Sequence, residues 1–304
     1  MSIDPGQPEF APQPSPPTLP VAAASASSPP AQSSPTQPLP AEPPPFVPMP
    51  PPLPQPAPPA APKPWGFWAT LGWGAIILLV NNMAATLVIL LFWTVMLFRG
   101  QGGLDGADPV AYLKASVELA TAKGLCPATI FATVVSVPMI VLLIRARHLP
   151  VLEYLAVTRI RVIPFVVSFA LLAALVFGLG FLYSKAGWQI GGGEMEDMFR
   201  ACPSKALLLI TLVICAPVFE EFLFRGFLFR GIAAKAGPLV AILLPSVIFA
   251  SLHVQYTIWG MLYVLCLGLL FGAVRWRTGS ISITMLLHAT VNFVGFLEIL
   301  HYLK

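Results

Sequence analysis

The chain has 304 residues, of which 57% are hydrophobic and only 10% are charged, and its formal net charge is +4. Soluble domains carry about 25% charged residues, so this composition excludes an ordinary soluble domain and indicates a polytopic membrane protein. The basic residues lie mostly at the ends of apolar segments, which does not favour nucleic-acid binding. The four cysteines show no CxxC or metal-finger spacing, so neither a redox motif nor a structural zinc site is indicated.

Residues 1–64 form a proline-rich segment that holds 25 of the 34 prolines and only four charged residues. Such a segment cannot bury enough apolar surface to offset its ordering entropy, which predicts a disordered tail with polyproline-II character. A flexible tether is the simpler interpretation of this tail. The run Pro-Pro-Pro-Leu-Pro at 50–54 also fits a docking site for a proline-recognition partner.

From Trp65 the composition becomes strongly apolar, and we divide it into N-terminal membrane helices (65–200) and a C-terminal membrane core (201–304). The apolar segments are close to the ~20 residues that a spanning helix requires. They predict an all-α, polytopic membrane helix bundle with about seven spanning helices, at 68–98, 126–145, 163–184, 206–235, 238–253, 258–276 and 280–300. The intervening segment 99–124 is glycine-rich and then mildly amphipathic, which predicts a helix lying along the membrane interface.

Lysine and arginine in short loops predict the orientation of the bundle. Arginines mark two loops, and Lys235 lies between them in the chain: Arg145, Arg147, Arg159 and Arg161 in the first, Arg275 and Arg277 in the second. Their alternation predicts a multi-pass protein of the plasma membrane with a cytoplasmic N-terminus. Cys126 and Cys202 would then lie near the outer face, where a disulfide is permitted, although two unpaired buried thiols are the simpler interpretation.

The most informative stretch is a cluster of ionisable residues inside the apolar segment 207–234. It contains Glu220, Glu221 and Arg225, and two later histidines, His253 and His288, have similarly apolar surroundings. Charged side chains are costly at membrane depth, so such a cluster indicates a functional site. We therefore predict that the three segments form one buried site.

The turn Ala236-Gly237-Pro238 allows the depths of these residues to be compared. Glu220 lies 15 residues before Lys235, and His253 lies 16 residues after Gly237. At ~1.5 Å per residue, both lie roughly 22–24 Å from the turn, on adjacent antiparallel helices. We therefore expect Glu220 and His253 to lie at the same level.

Helical spacing also predicts which side chains face one another. Adjacent residues point about 100° apart, so we expect Glu220 and Glu221 to face different targets. Glu221 stands four residues before Arg225, which predicts a buried ion pair and leaves Glu220 to face other helices. His288 and Asn292 share one helix face at the same spacing.

These residue types suit hydrolysis. A carboxylate and an imidazole can together take a proton from water and return it to a leaving amine, as Glu220 and His253 would do. His288 and Asn292 could stabilise the oxyanion of a tetrahedral intermediate. Glu220, His253 and His288 could instead hold a divalent metal, zinc if any, with its bound water. Sequence spacing leaves both alternatives open.

Three motifs in order, Glu220-Glu221-x-x-x-Arg225, Phe249-x-x-x-His253 and His288-x-x-x-Asn292, resemble those of the CPBP family. That family comprises CAAX-type prenyl-protein endopeptidases and bacteriocin-processing or immunity proteins, also called Abi proteins. The resemblance covers roughly 205–298. Members are commonly labelled metalloproteases, and a metal-free glutamate mechanism is also argued for them.

The resemblance implies an intramembrane endopeptidase with 201–304 as its catalytic core. Its substrate would be a membrane-associated or lipidated protein or peptide in the lipid bilayer. Glu220 and His253 would activate water, while His288 and Asn292 would bind the oxyanion or contribute to a metal site. Glu221 and Arg225 complete the predicted catalytic set.

Two other functions fit the same residues. The polar cluster could hold helices together in a non-enzymatic immunity or membrane scaffold protein. Intramembrane glutamate and histidine also form relays in proton-coupled transporters, but the sequence shows no internal repeat of the kind that transporters carry.

Overall fold

The computed structural model describes residues 64–99, 108–191, 200, 202 and 204–302. Within this part of the chain the regular structure is helical, apart from an isolated antiparallel bridge between Gly191 and Tyr256. The prediction of a disordered tail at 1–64 falls almost entirely outside the described residues. The described residues therefore comprise the membrane helices and the candidate site residues on them.

The described chain runs through two long helices, α1 (Phe67–Phe98) and α2 (Pro109–Ala146), and the short α3 (Val151–Leu155) before α4 (Val162–Ala186). A continuous helical segment, Lys205–Ser251, follows and is called the hairpin below. The last two helices are α5 (Ile258–Thr278) and α6 (Ile281–Tyr302). Six of these segments are long and apolar enough to cross a membrane, which confirms the predicted all-α polytopic bundle.

The hairpin covers the two segments that the sequence predicted as separate crossings, 206–235 and 238–253. Its 47 residues would measure ~70 Å as a straight helix, more than twice the ~30 Å of a hydrocarbon core. The chain reverses at Gly237, whose φ of 81° is in the region that favours glycine. The rings of Phe224 and Phe249, from either side of this turn, lie 5.2 Å apart. The first arm (205–236) and the second arm (238–251) are therefore antiparallel, as predicted.

The predicted interfacial helix at 99–124 is wrong where the structure describes it. Residues from Pro109 onward continue without a break into the second spanning helix, and Asp108 caps this helix by accepting from Ala111 N at 3.3 Å. The extension packs along α1, where Trp93 Nε1 donates to Ser116 Oγ at 3.0 Å. Contact with a neighbouring helix, rather than with the membrane surface, therefore decides the course of this segment.

Small residues bring α5 close to the second arm of the hairpin. A Cβ on Gly268 would lie 3.2 Å from Ser246, and one on Gly272 would lie 3.0 Å from Ile242. This is the close helix approach that a Gly-x-x-x-Gly pattern allows in membrane bundles. It also brings the backbone of α5 within reach of side chains on the first arm.

The loops that carry arginine meet at one end of the bundle. Arg161 Nη2 donates to Thr278 O at 3.3 Å, and the Arg147 guanidinium lies 4.9 Å from the centre of the Trp65 ring. We call this the arginine-rich end; its assignment to the cytoplasm stays a prediction. Toward the other end, the hydroxyl of Thr257, which precedes α5, donates a hydrogen bond to the backbone oxygen of Gln189.

Cys126 and Cys202 come together although they are 76 residues apart in the chain. Both are buried free thiols, and their Sγ atoms lie 2.8 Å apart. Cys126, on α2, and Cys202, which precedes the hairpin, are therefore close enough to form a disulfide.

We expect a disulfide-exchanging oxidant such as oxidised glutathione to join Cys126 and Cys202, because only these two of the four thiols are in contact among the described residues. Titration of free thiols in denaturant without reductant should fall from four to two. The Cys202→Ser variant should keep its three remaining thiols after the same treatment. Four free thiols in oxidised wild type would contradict the expectation.

Candidate active site

The first arm of the hairpin is π-helical before and after the short α-helical segment that ends at Glu220. One π-helical segment covers Thr211–Cys215, Ala216–Glu220 is α-helical, and a second π-helical segment covers Glu221–Leu228. Such segments are rare and occur frequently at functional sites. Glu220 and Glu221 stand at the junction where the wider helical turn begins.

Glu221 and Arg225 form the buried ion pair that their spacing predicts. Arg225 Nη1 donates to Glu221 Oε1 at 3.1 Å, and the two side chains are 3% and 0% exposed. Arg225 Nη2 also donates to Gly268 O at 3.2 Å, and the guanidinium lies 4.7 Å from the centre of the Phe249 ring. The arginine is thus held by the hairpin and by α5 together.

His288, on α6, contacts both glutamates. Its Nδ1 lies 3.0 Å from Glu221 Oε1, and its Nε2 lies 3.3 Å from Glu220 Oε2. The expectation that adjacent glutamates face different targets is therefore wrong. An imidazole presents its two nitrogens on opposite edges, so two carboxylates that diverge from adjacent positions can meet the same ring.

His253 lies beside this group but does not touch Glu220 in the described contacts. Its Nδ1 is 2.8 Å from Phe249 O, and its ring stacks on Tyr256 at 5.8 Å with an angle of 7°. The Phe249 ring lies 4.6 Å from His253 and 5.9 Å from His288. The sequence predicted Glu220 and His253 at one level, which the hairpin brings about, but the direct partner of Glu220 is His288.

Exposure separates the two glutamates. The Glu220 side chain is 21% exposed, whereas that of Glu221 is fully buried. Burial raises the pKa of Tyr256, in the segment between the hairpin and α5, and the nearby Glu220 carboxylate raises it further. Glu220 is therefore the more accessible of the two carboxylates, and it lies on the side of the group next to Tyr256.

Asn292 faces the first arm, as its spacing from His288 predicts, but at a different place. Its Nδ2 donates to Leu212 O at 2.8 Å, inside the first π-helical segment. The described contacts include none between Asn292 and either glutamate. This hydrogen bond satisfies a carbonyl in an irregular part of the helix and fixes α6 against the hairpin.

The arrangement does not fit a metal site with three protein ligands. No three of the described His, Cys, Asp and Glu side chains converge on one point. Of the three predicted ligands, Glu220 and His288 are in contact, while no described contact joins His253 to either of them. The metal stays a prediction.

Tyr256 and Phe271 also contact the group, and the sequence reasoning missed both. Tyr256 stacks on His253, and the Phe271 ring lies 5.3 Å from His288 and 5.4 Å from the Arg225 guanidinium. The position of Tyr256, three residues after a histidine in a short polar break between spans, was an available signal. Phe271 carries no signal, because it is one apolar residue among many.

The family model of the Rce1-like type II CAAX prenyl endopeptidases matches residues 202–294. An uncharacterized 24.3 kDa protein of Escherichia coli is 29% identical over 129 residues, which are 41% of this chain and 59% of that protein. The chain thus spans about three fifths of the length of this curated relative. No solved structure matches the chain significantly.

The Arg225→Ala variant should lose about 3–5 kcal/mol of stability, because it leaves the carboxylate of Glu221 buried without its cation. Thermal unfolding in detergent would measure this as a clear fall in Tm. Lys114→Ala is a matched control, since it breaks the exposed Lys114–Glu118 pair at the same helical spacing and should change Tm little. Equal losses in the two variants would contradict the structural role given to Arg225.

Proposed function

We propose, from the premise that residues 202–294 belong to the CAAX-protease (CPBP) family, that this chain is an intramembrane endopeptidase. It would hydrolyse a peptide bond in a membrane-associated or lipidated protein or peptide. The chain is an integral multi-pass protein by its apolar helices. The observation that carries the proposal is that Glu220 is the partly exposed member of an otherwise buried group of paired charges.

Glu220 would act as the general base. Its carboxylate is reachable by water, and its Oε2 contacts His288 Nε2, which fixes the position of the carboxyl group. Glu220 would take a proton from the water whose oxygen attacks the scissile carbonyl.

His253 would help to return that proton to the leaving amine. Phe249 O and the Tyr256 ring fix its imidazole, and its Nε2 has no partner among the described residues. In the overall step a C–O bond forms from water, the C–N bond breaks, and the proton leaves with the amine nitrogen. Glu220 and His253 would share that proton between attack and departure.

Glu221 and Arg225 would position the other groups. Glu221 Oε1 accepts from Arg225 and contacts His288 Nδ1, so it sets the orientation of the imidazole. Both ring nitrogens of His288 contact carboxylates, so His288 would position Glu220 and would not itself donate to the developing oxyanion. Asn292 uses one amide hydrogen at Leu212 O, and its second would serve the same oxyanion.

The remaining parts of the proposal concern the surroundings of the site. From the sequence we also propose that the protein lies in the plasma membrane with a cytoplasmic N-terminus. We propose further that residues 1–64 bind a proline-recognition partner. A prenylated substrate is one candidate, as the description of the matching family suggests. The site lies ~24 Å from the turn at Gly237, so the proposed orientation puts it closer to the outer leaflet than to the cytoplasm.

The Glu220→Gln variant should lose cleavage by a factor on the order of 10² or more, because an amide cannot accept the proton of the attacking water. Activity would be measured in proteoliposomes on a membrane-anchored peptide library, with Tm of the same preparations as the test of folding. Glu298→Gln makes the same change at an exposed position of α6 and should keep full activity. Full activity in Glu220→Gln would end the proposal.

A chelator should leave cleavage by wild type unchanged, because the mechanism proposed here needs no metal. Metal content of the purified protein would be measured in the same experiment. Loss of cleavage on chelation, together with stoichiometric zinc in wild type, would instead support Glu220, His253 and His288 as ligands.

The immunity or scaffold function remains the second candidate. The charged group joins the hairpin to α5 and α6, which is also what an interhelical structural network would do. Failure of wild type to cleave any peptide, with Glu220→Gln equally well folded and equally able to function in cells, would favour this candidate.

A further inference from the structure

A cavity of about 370 Å³ opens near the arginine-rich end of the bundle. Its lining includes Pro64, before α1, two residues of the first arm, Phe229 and Arg230, and two residues of α5, Arg275 and Trp276. None of these residues belongs to the proposed peptidase site. The proposed peptidase activity therefore does not account for the cavity.

Arg275 is a buried cation in the described part of the chain. Its side chain is only 6% exposed, its Nε donates to Arg225 O at 3.0 Å, and its guanidinium lies 5.0 Å from the centre of the Phe229 ring. No carboxylate pairs with it among the described residues. A buried charge is costly unless it is paired, and a single backbone bond and one ring do not replace an anion.

Arg230 adds a second cation to the same cavity. It is exposed, and it too has no hydrogen bond or ion pair among the described residues. Two guanidinium groups on one cavity repel each other unless something negative lies between them. Their convergence without an acid is what an anion-binding site requires.

Two further donors lie near the cavity. The Trp65 indole N–H, next to the lining residue Pro64, and the Tyr154 hydroxyl are buried without a hydrogen-bond partner among the described residues. Burial raises the pKa of Tyr154 to about 12, with Arg230 acting in the opposite direction, so the phenol keeps its proton at neutral pH. Both groups therefore keep a hydrogen to donate, although neither side chain lines the cavity.

We propose that this cavity binds a phosphate group between Arg230 and Arg275. A phosphodiester shares one negative charge between two oxygens, and a phosphate monoester carries up to two charges on three oxygens, so either can meet two guanidinium groups at once. Basic pockets between membrane helices bind lipid head groups in this way. The phosphate would come from a phospholipid head group or from a soluble phosphate compound.

The test measures binding, not cleavage, so its outcome is independent of the peptidase proposal. Full-length protein in an uncharged maltoside detergent would be titrated with inorganic phosphate, at constant ionic strength set by chloride, and separately with dihexanoyl phosphatidylglycerol. Dihexanoylglycerol, which lacks the phosphate, is the matched lipid control. A ligand that binds the folded state raises Tm with its concentration.

We expect Tm to rise with phosphatidylglycerol and not with dihexanoylglycerol. A further rise with inorganic phosphate would identify a site open to soluble phosphate, and no rise would identify a lipid head-group site. Arg230→Gln and Arg275→Gln should each weaken the apparent affinity at least about tenfold. Arg159→Gln, at an exposed arginine of the same end, should leave it unchanged.

Arg275→Gln also removes the hydrogen bond to Arg225 O and can lower the basal stability, so Arg230→Gln is the decisive variant. Unchanged affinity in a well-folded Arg230→Gln protein would overturn the proposal. The absence of any Tm rise with either phosphate probe, or an equal rise with dihexanoylglycerol, would overturn it as well.

Discussion

The burial of the Glu221–Arg225 pair is the constraint on which the rest of the core depends. Two charges that are almost completely shielded from solvent are costly unless they are paired and hydrogen-bonded to other groups. Arg225 therefore needs Gly268 O on α5, and Glu221 needs His288 on α6. Close approach of α5 is possible because Gly268 and Gly272 have no side chains to separate it from the second arm.

The two adjacent glutamates have different roles in this network. Glu221 lies wholly inside the bundle and binds other protein groups, while Glu220, one residue earlier, retains some contact with solvent. The transition from α-helix to π-helix falls between them. The His288 imidazole contacts both carboxylates. Glu221 holds this ring, and the ring in turn positions Glu220, the proposed reactive group.

The backbone of Arg225 also connects the proposed peptidase site with the cavity. Its side chain supports the glutamates, and its carbonyl accepts from Arg275, which lines the cavity proposed to bind phosphate. The two proposed sites thus share a residue's backbone but no functional side chain. An anion at the cavity would neutralise a buried cation one hydrogen bond away from the catalytic group.

The sequence by itself determined the membrane class, the antiparallel hairpin and the Glu221–Arg225 pair. Each follows from local properties of the chain: apolar length, a turn at Gly237 and a spacing of four residues. Tertiary structure alone decided that the described partner of Glu220 is His288 and not His253, that α2 is continuous, and that Arg275 is buried with no carboxylate partner in the described part of the chain. These depend on how each helix is rotated about its axis and packed against distant helices, which spacing along the chain does not specify.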